Sequence, residues 1–72
     1  MINERLLELS IIEILEKNGV SEISDLIKSL KNQYQYINEA NLNKILMKLE
    51  IKGKIKVFDA LRGKRRVELI RG

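Results

Sequence analysis

Between positions 62 and 66 the chain sets Arg62, Lys64, Arg65 and Arg66 around Gly63, four positive charges in five residues. Crowding of this kind costs stability through mutual repulsion, and a bound anion relieves it. A second group lies upstream. If Leu42, Ile45, Leu46 and Leu49 face a core, helical spacing places Ala40, Asn43, Lys44, Met47 and Lys48 on the outer half of the same helix, with Asn41 beside them. An asparagine amide suits an adenine edge, lysine suits guanine or phosphate, and Ala40 or Met47 suits a thymine methyl. The chemistry open to both groups is noncovalent binding of a polyanion. Taken singly, each helix residue could equally be solvated surface, and basic residues near a strand also discourage edge-to-edge aggregation. Two adjoining cationic groups together favour phosphate contact, and the 62–66 cluster is the stronger of the two.

Other chemistries have little to work with. The chain has no cysteine and no histidine, which removes thiolate metal sites, disulfides and the general acid/base suited to neutral pH. It contains no nucleophile–base pair, metal-ligand spacing or glycine loop that would cradle phosphate. Neither an enzyme nor a bound cofactor is expected. At 72 residues one domain is expected over 1–72, with a core too small for an effector pocket. Charge is sorted along the length: residues 1–40 carry four basic and seven acidic side chains, net −3, and residues 41–72 carry ten and three, net +7. The partner is therefore expected at the C-terminal half. Glu4, Arg5, Glu8, Glu13 and Glu16 interrupt every apolar stretch near the N-terminus, so the expectation is a soluble, unprocessed cytoplasmic protein, nucleoid-associated if it binds DNA, without a membrane partner.

The elements that would position the two groups follow from periodicity. Leu7, Ile11, Ile14 and Leu15 predict a first helix over Ile2 to Lys17, with Asn3 as a cap and Asn18-Gly19 as its stop. Val20 to Ile23 reads either as a short edge strand or as the capped start of a second helix, with Ser21 or Ser24 accepting from its free amides. Leu26, Ile27 and Leu30 define that helix, about Ser24 to Lys31. Residues 32–37 form a polar, aromatic connection in which Tyr34 or Tyr36 packs a ring over the second helix. Asn38 caps a third helix that ends at Gly53. Beyond it the period falls to 2: Ile55 and Val57, then Val67 and Leu69, mark two half-buried strands joined at Arg62-Gly63-Lys64, with Phe58 capping the core.

The order helix, short strand, helix, helix, hairpin resembles a winged helix-turn-helix domain over almost the whole chain. The segment Leu46-x-x-Leu49-Glu50-x-x-Gly53-x-Ile55 looks like the end of a recognition helix running into the first wing strand, and Val20 to Leu26 looks like the start of the helix before it. The resemblance implies an α+β fold of three helices followed by a two-stranded β-hairpin wing. It also implies a small regulator of transcription that reads duplex DNA with the third helix and grips the backbone with the wing. On that basis the DNA-contacting residues would be Asn41, Asn43, Lys44, Met47, Lys48, Arg62, Lys64, Arg65 and Arg66. A narrower likeness is to winged helices that bind Z-form nucleic acid, through Asn43 and Lys44. Met47 stands where those proteins have a stacking aromatic, however, and the hairpin lacks their Pro-Pro-x-Trp, so an ordinary duplex is the expected ligand.

Two apolar features remain. Ile2, Leu6, Leu9 and Ile12 exceed what one small core can absorb and would pair with the same helix of a second copy, giving a homodimer whose wings straddle a palindromic site. Tyr36, Ala40, Met47 and Ile51 fall near one outward line of the third helix. Winged helices of the endosomal-sorting type and of some polymerase subunits use such a face to hold proteins, so the alternative is an adaptor in a larger assembly. Glu39, which would repel phosphate, leans the same way.

Overall fold

In a computed structural model that describes residues 3–59 and 63–71, three helices pack on one face of a three-stranded antiparallel sheet. Helix α1 spans Glu4–Asn18. The Asn3 side chain accepts from the Leu6 amide at 3.2 Å, and Gly19, at φ 80°, turns the chain out of the helix. Leu7, Ile11 and Leu15, four apart, are buried. Ile14 and Ile12 pack partly buried against the same core.

Strand β1, Val20–Glu22, leads directly into helix α2, Ile23–Lys31. The serine cap expected here is absent: Glu22 occupies the cap position without a side-chain bond, Ser21 is buried in the strand and Ser24 is exposed. Pairing of β1 with the sheet has taken the place of a cap in orienting the chain. After α2, the amides of Gln33 and Tyr34 both donate to the Leu30 carbonyl. Tyr34 packs against the core and shares a hydrogen bond with the Ser10 hydroxyl at 3.1 Å, whereas Tyr36 is exposed. Ile37, within the connection that reads as polar, is buried.

Helix α3, Glu39–Ile51, is capped by Asn38, whose side chain accepts from the Asn41 amide at 2.8 Å. Leu42, Ile45, Leu46 and Leu49 point into the core. Gly53, at φ 77°, reverses the chain while the Lys54 amide donates to the Leu49 carbonyl. Strands β2, Ile55–Asp59, and β3, Arg65–Leu69, then pair antiparallel with Val57 opposite Val67. The sheet order is β1-β3-β2. The hairpin is therefore not a free two-stranded ribbon, because β1 adds to its β3 side with Ser21 opposite Val67.

Candidate functional site

Burial of Leu42, Ile45, Leu46 and Leu49 fixes the roll of α3, and at about 100° per residue its remaining side chains sort into three rows. Ala40, Lys44, Met47 and Ile51 run along the outward centre line. Asn43 and Glu50 lie on the flank nearer the hairpin, and Asn41, Lys48 and Lys52 on the flank nearer α1.

The α1 flank is an ion-pair ladder. Lys48 Nζ donates to both carboxylate oxygens of Glu4, at 2.8 and 3.1 Å, and Lys44 Nζ stands 3.9 Å from the same group. One turn further along both helices, Lys52 Nζ reaches Glu8 at 3.1 Å. The hydrogen bond from Lys48, then its charge, hold the Glu4 carboxyl below its ordinary value; desolvation opposes them, and Lys44 adds the smallest contribution. The two lysines expected to meet DNA thus share one carboxylate, Glu4, bonded by Lys48 and flanked by Lys44. The spacing carried a signal for this: Glu4 and Glu8 on one helix match Lys44, Lys48 and Lys52 on another, all four apart.

On the other flank Arg65 Nη1 donates to Asn43 Oδ1 at 3.2 Å, and Arg65 Nε lies 3.7 Å from Asp59. Arginine has no acceptor, so the amide oxygen of Asn43 must face it. Asn43 is half-buried as a result. Gly63 and Lys64 border a shallow hollow shared with Glu22, Ser24, Ile27 and Glu39, which brings the described end of the turn against the starts of α2 and α3.

The four-charge cluster does not act as one tip. Arg65 and Arg66 are already strand residues, and side chains alternate across a sheet. Arg65 lies on the same face as buried Val67, towards α3. Arg66 points from the opposite face, between Glu22 and Phe58 on the neighbouring strands and beside Asn18 and Asp25. Phe58 accordingly lies on that outer face, not over the core. Arg62 falls outside the described residues.

Apolar surface remains beside the charged rows. Tyr36, Met47 and Ile51 are 85%, 62% and 80% exposed, and Ala40 is also exposed. An open groove of about 1020 Å³ runs between the start of α1 and α3, bordered by Leu6, Tyr34, Tyr36, Asn41 and Lys44. On α1, Leu6 and Leu9 are each 53% exposed, while Ile12 turns inward against the core. Ile2 lies outside the described residues, and among the described ones of the surplus set only Leu6 and Leu9 are exposed.

Among the described residues no helix is long and apolar enough to cross a membrane, and no three acidic side chains cluster as metal ligands would. No protein family, curated protein or solved structure matches this chain.

Proposed function

We propose that this chain is a winged-helix domain that binds duplex DNA, with α3 in the major groove and the β2–β3 hairpin against the adjoining backbone, and that it regulates transcription. The observation that carries the reading is the Arg65–Asn43 hydrogen bond, which joins the near flank of α3 to the turn end of the hairpin. Helix, sheet and cation then present one surface, as the order of elements in such a domain requires. A helix of 13 residues is about 20 Å long and about 10 Å across, dimensions that a major groove about 12 Å wide admits. Asn43, steadied by Arg65, would meet a base edge, with Ala40 and Met47 available to thymine methyls. Lys64 and Arg65 would contact phosphate. Arg66, on the other face of the sheet, is not part of this surface.

Fluorescence anisotropy with a random-sequence duplex tests the proposal. Two phosphate contacts, at Lys64 and Arg65, give a slope of log affinity against log salt of about −1.8, and four, with Lys44 and Lys48 engaged, about −3.6. A slope near zero, or no binding at about 50 mM salt where phosphate contacts are strongest, would refute it.

A second reading, a protein-holding adaptor, is favoured by the exposure of Met47 and Ile51 on the outward line of α3 and of Tyr36 in the connection before it. Met47→Lys would then abolish partner capture while Arg65→Ala would leave it intact. A homodimer through α1 would rest, among the described residues, on Leu6 and Leu9. Sedimentation velocity on dilution tests it, and a strict monomer at high micromolar concentration removes it.

A further inference from the structure

The ladder between α1 and α3 joins residues 44 apart in sequence, Glu4 to Lys48 and Glu8 to Lys52, and Lys44 leans on its first rung. Exposed ion pairs of this kind add little to stability. Their effect on a ligand is larger. A phosphate approaching Lys48 competes with a carboxylate that already accepts its hydrogen bonds, and one approaching Lys44 meets the same carboxylate 3.9 Å away, a charge within the roughly 8 Å over which salt leaves repulsion unscreened. The Glu4 carboxyl is shifted below its ordinary value chiefly by the Lys48 hydrogen bond and charge, in keeping with that contact. Asn43, Ala40 and Met47 stand outside the ladder.

We propose that Glu4 and Glu8 are specificity-determining residues, which withhold Lys44, Lys48 and Lys52 from generic phosphate so that binding depends on base edges at α3 and on the hairpin. This rests on the DNA-binding reading. Neither carboxylate reads a base; both act through the lysines they hold, and removing them makes the protein a tighter and less discriminating binder.

The test compares the full chain with Glu4→Gln/Glu8→Gln and with Glu13→Gln/Glu16→Gln on a random-sequence duplex across a salt series. The second pair changes net charge equally, and its residues are exposed on α1 without an ion pair to α3 among the described residues. Freeing Lys44, Lys48 and Lys52 steepens the slope from about −1.8 towards −4.5 and raises affinity at 0.1 M salt by more than about tenfold. The Glu13/Glu16 variant keeps the original slope. Glu4→Gln alone, which releases Lys44 and Lys48 but leaves Lys52 on Glu8, gives about two-thirds of the change and serves if the double variant loses its helical circular dichroism. Equal slopes in all proteins, or the same steepening in the Glu13/Glu16 control, overturn the inference while leaving DNA binding in place. If the parent chain and every variant fail to bind duplex, the DNA-binding reading falls and this inference falls with it.

Discussion

Arg65 and Arg66 are adjacent, equally charged and equally basic in sequence, yet the sheet sends them to opposite faces, and their separate replacement by alanine is the most direct probe of the proposed surface. Arg65 bonds Asn43 and faces α3. Arg66 lies across from Glu22 and Phe58 on the far face. Removing one phosphate contact lowers the salt slope by about 0.9, which at 0.1 M salt corresponds to a loss in affinity of close to tenfold. Arg65→Ala also releases the amide of Asn43, so the loss should reach or exceed that figure. Arg66→Ala should change affinity less than about twofold and leave the slope unaltered, since only a diffuse charge is lost. Both positions are solvent-accessible, so neither change should shift stability by more than about 0.5 kcal/mol. Thermal melts alongside anisotropy titrations separate folding from binding. Equal losses for the two variants, or a neutral Arg65→Ala, would refute the assignment of faces to function.

Three further outcomes concern the frame that holds this surface. Asn38→Ala removes the cap bond to the Asn41 amide and should cost about 1 kcal/mol, a fall in Tm of about 4–8 °C for a domain of this size; an unchanged melt would show that the cap bond contributes nothing. Ile37→Ala, at a buried position in the α2–α3 connection, should cost about 2–4 kcal/mol, and a cost under about 1 kcal/mol by urea denaturation would show that the residue is not a core member. Glu4 has a folded pKa below its unfolded value, so its contribution to stability is complete above the ordinary value of 4.5 and is lost as pH falls through the lower folded value. Melting curves of the parent chain should therefore fall more steeply below pH 4.5 than those of Glu4→Gln, and parallel curves would contradict the ladder.

The helices and their ends were legible because the forces that set them act over one turn. Asn3 and Asn38 cap the amides three residues on, Gly19 and Gly53 take positive φ where each helix stops, and the spacing of Leu42, Ile45, Leu46 and Leu49 alone orients α3. The hairpin was legible for the same reason, through the alternation of Ile55 with Lys56 and of Val67 with Glu68. The short strand was legible only as one of two options for Val20 to Ile23, and its pairing was not: three residues carry no alternation to read, and the extended form of Val20–Glu22 is stabilised by β3, more than 40 residues away. Ile37 escaped notice because a lone apolar residue among polar neighbours has no period.

Composition and order by themselves determined that the cations gather in the C-terminal half, that no thiol or imidazole chemistry is available, and that three helices precede a hairpin. Only the tertiary structure decided which cations share a face. Pairing across 44 residues set the Glu4 and Glu8 carboxylates against the lysines of α3, and the onset of β3 at Arg65 sent consecutive arginines to opposite sides of the sheet. Charge follows from residue type alone, but the partner a charge meets depends on how distant segments close on one another, and no local pattern records that.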